Sequence, residues 1–253
     1  MRERFTRMVR REAEHARNGR RARIVVKVNG LEDPEMVEEL YRASMAGVEI
    51  DLIVRDICRL RPGIEGLSET VRVHSIVGRF LEHARVFYFE NAGDPEWYLG
   101  SADWMTRNLD NRVEAVTPVE TVELRKQLRF VLEASLADNR RRWEMRSDGS
   151  YEQVSRGDEP VRDIQEILMA ATEAAVDRGY GPGMVIDSDL IDGDLLVAPT
   201  ADSSETDEDT APTGATGAES TTHDGDSGAT SEAESAAESK ESDADDASSE
   251  AET

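Results

Sequence analysis

The sequence predicts a layered, mixed α/β domain followed by an acidic tail, and three observations carry that reading. An apolar run, a helical pattern and a second apolar run succeed one another within about 30 residues, the length of a strand–helix–strand unit whose strands lie parallel. Shorter strand-like segments come next, and then a longer stretch of helical periodicity. Finally, residues 199–253 contain no Val, Ile, Leu, Met, Phe, Tyr, Trp or Cys at all.

The elements follow in order. Residues 3–18 place Phe5, Met8, Val9, Ala13 and Ala16 on one helical face, and Gly19 is a natural stop. Ile24–Val28 is a buried strand by its apolar content. Asp33-Pro34 supplies an N-cap and a proline at the first helical position. Val37, Leu40, Tyr41, Ser44 and Met45 then keep helical spacing up to Gly47, and residues 48–54 form the second strand. A turn-rich loop covers 59–66. Short strands are expected at 71–76, 85–90, 97–101 and 112–117, with Asn91–Pro95 as a turn. A helix is expected over 120–143, burying Leu124, Leu128, Val131, Leu132 and Leu136 and carrying Arg140, Arg141 and Arg142 in its last turn. One more helix is expected over 161–177. The domain is therefore placed at 1–178, an ambiguous extension at 179–198, and the tail at 199–253.

Of the 253 residues, 54 are acidic and 30 basic, for a net charge of −24; the tail alone holds 17 acids against Lys240. Without large apolar side chains the tail is expected to be disordered. Residues 1–198 have 37 acids and 29 bases, of which only Lys27 and Lys126 are lysine. An acidic, Arg-rich, Lys-poor chain suits a highly saline cytoplasm, or is simply an acidic protein with an acidic tail. Either way it lacks the basic face of a general nucleic-acid binder. Cys58 is the single cysteine, which excludes an intramolecular disulfide and a multi-cysteine metal site. There is no apolar run of membrane-spanning length and no apolar leader region, so a cytoplasmic protein is expected.

Two neighbourhoods carry chemistry. Arg55 follows the apolar strand ending at Val54, where open α/β sheets bind ligands, and a guanidinium there suits phosphate oxygens; the alternative is a surface Arg paired with Asp56 or Glu49. The second is His83-Ala-Arg85, entering the strand at Val86, with Gly100-Ser-Ala-Asp103 beyond a turn. A histidine can move a proton near neutral pH while a cation and a hydroxyl hold phosphate; the alternative is a structural hydrogen-bonder. This pair of segments resembles the phospholipase D superfamily signature, with Arg85 in place of Lys and Asp103 in place of Asn. His74, alternating with Val71 and Val73, reads as structural, Cys58 as packed, Trp97 and Trp104 as core aromatics, and His15 and His223 as surface residues.

Longer segments resemble polyphosphate kinase: Ile50–Arg55, Leu60–Gly63, Gly66–Glu69, Ser75–His83, Tyr88–Asn91 and Ser101–Asp110, with Lys27-Val-Asn29 and Asp33-Pro34 upstream. Asp56 stands where that family usually has Gly. The resemblance implies a phospholipase D-like domain, the last of the family's four. It implies ATP and polyphosphate as substrates, a phosphohistidine intermediate and Mg2+. It makes His83 a proton-handling, phosphate-facing residue and Arg55 and Arg112 phosphate ligands, with Arg85, Ser101 and Asp103 as possible supports. The family's nucleophilic histidine and magnesium-holding residues belong to the preceding domain and have no counterpart here, so no metal ligand is assigned. A separately encoded chain with the remaining domains is the implied partner, and an oligomer is expected. The alternatives are a non-catalytic polyphosphate- or nucleotide-binding module, and a homodimeric phosphohydrolase in which two copies of His83 meet.

Overall fold

The computed structural model describes residues 1–177; the expected extension at 179–198, the tail at 199–253 and His223 lie outside the described residues. Helix α1, Arg2–Arg17, buries Phe5, Met8, Val9 and Ala13, and the chain turns away from it at Gly19 with a φ of +66°. Strand β1, Arg23–Val28, leads to helix α2, Pro34–Met45, whose first turn is capped as expected: the Asp33 carboxylate accepts the Met36 N–H at 3.1 Å. Strand β2, Glu49–Val54, pairs in parallel with β1, and β3, Val71–Ile76, pairs in parallel with β2. Strands β4 (Val86–Phe89), β5 (Glu96–Gly100) and β6 (Val116–Pro118) then extend the β1 side as antiparallel neighbours.

Two expectations are corrected beyond this point. The strand expected at 112–117 shrinks to β6 because Arg107–Asn111 forms a π-helical turn, with the Asn108 and Leu109 N–H groups both donating to the Met105 carbonyl. Arg112 caps that turn and lies outside any strand. The helix expected over 120–143 is α3, Val122–Ala137, and ends at Asp138. That carboxylate, fully buried, accepts the N–H groups of Arg140, Arg141 and Arg142 at 2.9, 2.6 and 3.2 Å, which offers the backbone a turn in place of another helical one. Arg142 instead opens strand β7, Arg142–Met145, which pairs with β3, and β8, Tyr151–Gln153, completes that edge. Helix α4, Ile164–Asp177, closes the described chain.

The eight strands run β6-β5-β4-β1-β2-β3-β7-β8 in one mixed sheet. Alternating side chains feed two cores, because successive residues of a strand face opposite sides. On one face Ile24, Val26, Ile50, Leu52, Phe87 and Trp104 pack against α1 and α2; on the other Val25, Ile53, Ile76, Val86 and Trp97 meet α3 and α4. Of the expected α3 stripe, Leu132 is buried, Leu128 and Leu136 pack partly, and Leu124 is exposed; Phe130 and Ala134 take the inner places. The result is a three-layer mixed α/β domain.

Candidate functional site

Beyond Val28 the chain bends at Asn29 and runs on through Leu31, held by backbone hydrogen bonds between two loops. The Leu31 N–H donates to Ile57 O at 2.8 Å, the Arg59 N–H to Leu31 O at 2.9 Å, and the Trp104 N–H to Gly30 O at 3.1 Å. This stitching gathers the segments that follow β1, β2 and β5 at one end of the sheet.

Arg55 sits at that end. Its N–H donates to Val28 O at 3.3 Å and its carbonyl accepts the Ser75 hydroxyl at 3.2 Å. The guanidinium pairs with neither Asp56 nor Glu49; its Nε and Nη1 are buried without a hydrogen-bond partner among the described residues. A buried donor of a charged group left unpaired costs about 1–3 kcal/mol or more. Arg55 lines a cavity of about 450 Å³ with Asp56, Ile76, Arg79, Phe80 and Leu81.

His83 lies on the loop that runs from this cavity wall into β4. The residue is exposed, and its ring has no hydrogen-bond partner among the described residues. Its backbone is held, since Arg85 Nη1 donates to the His83 carbonyl at 2.8 Å. The rest of the Arg85 fork goes to Asp103, with Nε and Nη2 at 3.2 and 3.1 Å from the two carboxylate oxygens. Asp103, only 3 % exposed, also accepts the Asn29 N–H at 2.7 Å and Asn29 Nδ2 at 3.2 Å. Arg85 and Asp103 therefore satisfy each other and brace the His83 backbone. The Ser101 hydroxyl is likewise occupied: it donates to Glu114 and accepts the Ala115 N–H at 3.1 Å. Arg112 is exposed, and no hydrogen bond joins it to His83 or Arg55. The structure thus brings Arg55 and the His83 loop together, uses Arg85, Ser101 and Asp103 as frame, and leaves Arg112 before the edge strand β6, four strand positions from β2.

Three contributors escaped sequence reasoning. Lys27, a lone cation inside an apolar strand, is 5 % exposed and its Nζ lies 2.7 Å from Glu82 Oε2. By strand alternation it shares the sheet face of Val25, opposite Ile53, and so points to the same side as Arg55. Glu82 in turn accepts Gln165 Nε2 at 2.9 Å. A lone charge in an apolar run is a readable signal; the Glu82 and Gln165 partnerships are not.

Apart from the exposed Asp56, the carboxylates around this end are already committed, Glu82 to Lys27, Asp103 to Arg85 and Glu114 to Ser101 and Asn108. Among the described residues no group of three His, Cys, Asp or Glu side chains could hold a metal ion. These residues do not fit a Mg2+ site of their own, since a hard dication needs free oxygen ligands.

The remaining candidates take structural places. His74 is buried, with Nδ1 3.2 Å from Arg142 Nη1 and Nε2 3.7 Å from Asp51 Oδ1. Burial pushes the Cys58 thiol up to about 11, so it is a packed residue and no ready thiolate. Trp97 and Trp104 are buried in opposite cores. His15 is half-buried rather than a free surface group, its Nε2 3.3 Å from Asn91 Oδ1.

The fold and this end of it define a mixed α/β domain that presents an unpaired arginine and an unbonded histidine where its parallel strands end. Residues 1–165 match the family described as polyphosphate kinase C-terminal domain 2. Polyphosphate kinase of Thermosynechococcus vestitus is 53 % identical over 173 residues, which are 68 % of this chain and 24 % of that protein. The Synechocystis enzyme of the same name is 57 % identical over 153 residues, covering 60 % and 21 %. The crystal structure of polyphosphate kinase from Porphyromonas gingivalis superposes with a TM-score of 0.67 at 38 % identity, covering 70 % of this chain and 27 % of that one. The chain belongs to the polyphosphate kinase family, of which it carries the second C-terminal domain. It spans about a quarter of the length of the curated relatives it matches. No helix among the described residues is long and apolar enough to cross a membrane.

Proposed function

We propose that this domain forms the phosphate-holding half of a site that moves the terminal phosphoryl group of ATP to and from polyphosphate. The observation that carries the reading is Arg55, two of whose guanidinium nitrogens are buried and unpaired beside a cavity whose rim leads to His83. A phosphate oxygen would satisfy those donors with charge-assisted hydrogen bonds. The His83 ring, exposed and unbonded, is free to hand a proton to a departing phosphate oxygen or to take one from an attacking oxygen. Arg112, before the edge strand β6 at the same end of the sheet, would add positive charge for a phosphate chain long enough to reach it. In phosphoryl transfer, charge neutralisation and positioning supply most of the rate, so arginines and a proton carrier are suitable equipment. The nucleophile and the Mg2+ ligands would come from a partner chain carrying the remaining family domains. A magnesium ion would arrive with the nucleotide phosphates and those domains, and the residues here are assigned no step through it.

The test is tripolyphosphate and ATP binding to the full chain by calorimetry, beside Arg55→Ala and His83→Ala, followed by ATP-to-polyphosphate transfer with the missing domains supplied in trans. Loss of one charged hydrogen-bonding group predicts roughly 10- to 100-fold weaker binding for Arg55→Ala. His83→Ala is expected to bind within a few-fold of the wild type and to lose transfer. Wild-type affinity in Arg55→Ala, or undiminished transfer in His83→Ala, would show that the roles are wrongly assigned. Binding without transfer under any supply of partner domains would favour the non-catalytic module.

A further inference from the structure

The His83 loop, between Ile76 and Val86, exposes Val77, Phe80 and Leu81 and makes no regular ladder of its own. Something must nevertheless fix it, or ring and cavity would keep no constant relation. The fixing comes from far along the chain. Gln165, in the first turn of α4 and 5 % exposed, accepts the Phe80 N–H at 2.8 Å with its Oε1. Its Nε2 donates to Phe80 O at 2.9 Å and to Glu82 Oε1 at 2.9 Å. One amide thus makes both backbone bonds that a sheet neighbour would make, and also steers the carboxylate that holds Lys27. The loop is shaped for the contact: a Cβ at Gly78 would meet Gln165 Oε1 at 2.5 Å. Gln165 is itself anchored, its N–H on Asp163 Oδ1 at 3.1 Å and that of Ile164 on the buried Asp138 at 2.9 Å.

We infer that Gln165 is a positioning residue for His83, tying to α4 the loop whose residues 77–81 wall the Arg55 cavity, so that the histidine two residues further on keeps a fixed place beside it. Arg85 and Asp103 hold the loop's exit and Gln165 its entrance. The inference rests on the reading that His83 faces phosphate, and it deepens that reading by naming what sets the histidine's place.

Gln165→Glu keeps the acceptor for the Phe80 N–H, loses both donations and sets a second carboxylate against Glu82. Glu82→Gln combined with it exchanges the two partners and restores a donor between them. The full chain is compared as wild type, Gln165→Glu, Gln165→Ala and the double variant. Two readouts serve: amide hydrogen exchange of residues 79–85, and the His83 ring signal in NMR on adding tripolyphosphate. The single variants are expected to exchange at least about tenfold faster in 79–85, the effect of losing roughly 1.4 kcal/mol of local hydrogen bonding, with β1 and β2 unchanged. Their His83 response to tripolyphosphate should shrink, and the double variant, which regains the bond between positions 82 and 165 but not the donation to Phe80 O, should recover part of both. Unchanged protection of 79–85, or a loss spread evenly over the sheet, would overturn the inference. If wild-type His83 ignores tripolyphosphate, the phosphate reading alone falls, and the exchange data still decide whether Gln165 holds the loop.

Discussion

Glu12 gives the domain a pH dependence opposite to that of most acidic residues. It lies on α1 with no solvent exposure; Oε1 accepts the Asn91 N–H at 2.9 Å and Oε2 has no partner. Burial raises its carboxyl from the ordinary 4.5 to about 7, and the Asn91 N–H, Arg11 at 3.8 Å and the Arg23 backbone only partly offset this, while Glu90 adds to it. The sign follows from linkage. Below the unfolded pKa both states are protonated and the group costs nothing; as pH rises from 4.5 to about 7 the unfolded chain ionises freely in water while the buried carboxyl resists, so stability falls across that window and levels off above it. At 1.36 kcal/mol per pH unit between 4.5 and 7, the cost above neutrality is roughly 3 kcal/mol. Glu12→Gln keeps the shape and the acceptor for Asn91, removes the charge, and offers an amide N–H toward the negative Glu90. Urea unfolding of wild type and variant at pH 5, 6, 7 and 8 measures the difference directly. The variant should exceed the wild type by only about 1 kcal/mol at pH 5 and by roughly 3 kcal/mol at pH 8. A gap that does not change with pH, or a less stable variant at pH 8, refutes the reasoning.

Two further perturbations test the frame. Asp51 is 1 % exposed and meets Arg72 at 2.8 Å and Arg23 at 2.9 Å; burial alone would raise its carboxyl, but His74, Arg72 and Arg23 outweigh that and hold it well below the usual range. Asp51→Asn should cost about 2 kcal/mol near neutral pH, less than a fully buried pair because both arginines reach solvent. Since a depressed carboxyl stabilises above its unfolded pKa and ceases to as pH falls toward the folded one, the variant should also lose part of the wild type's stability slope below about pH 4; an unchanged slope in urea titrations counts against it. Asp138→Ala strips acceptors from Arg140, Arg141, Arg142 and Ile164 and should cost about 3 kcal/mol, with faster exchange of the Ile164 amide; a loss under 1 kcal/mol would mean the turn holds without it.

The first half of the domain was legible because each element carried its own signal. The apolar runs of β1 and β2, the Asp33-Pro34 start of α2 and the stops at Gly19 and Gly47 all act within a few residues. Strands β7 and β8 gave only a faint signal: Arg-Trp-Glu-Met alternates over just four residues, Tyr-Glu-Gln is only three residues long, and both pair at one edge of the sheet. What makes β7 a strand is its partner, with Glu144 opposite His74 and Trp143 opposite Ser75. The end of α3 was missed because Asp138 reads as one more polar helix residue until its carboxylate finds four backbone donors. The site divides in the same way. Arg55 was readable from its place after an apolar strand, whereas Gln165 bonds residues more than 80 positions upstream.

The charge of the chain gives the unpaired Arg55 its weight. With 54 acids to 30 bases, an arginine meets a carboxylate easily, and Arg2, Arg10, Arg11, Arg23, Arg72, Arg85 and Arg141 each do. An exposed cation without a partner, such as Arg112, is hydrated and costs little. Arg55 has lost that hydration at two nitrogens and gained no carboxylate among the described residues, although Asp56 is the next residue and is itself exposed. In so acidic a chain a single substitution nearby could have paired it. A cost left standing where it is easily relieved supports the proposed anion, at a cavity of about 450 Å³ that Arg55 shares with Arg79. The lining also makes a salt prediction: because Arg55 and Arg79 are the two cations in the wall of this cavity, tripolyphosphate affinity should fall only shallowly with ionic strength. A steep dependence in calorimetry at 0.1 and 1 M salt would instead locate binding on the exposed arginines of α1.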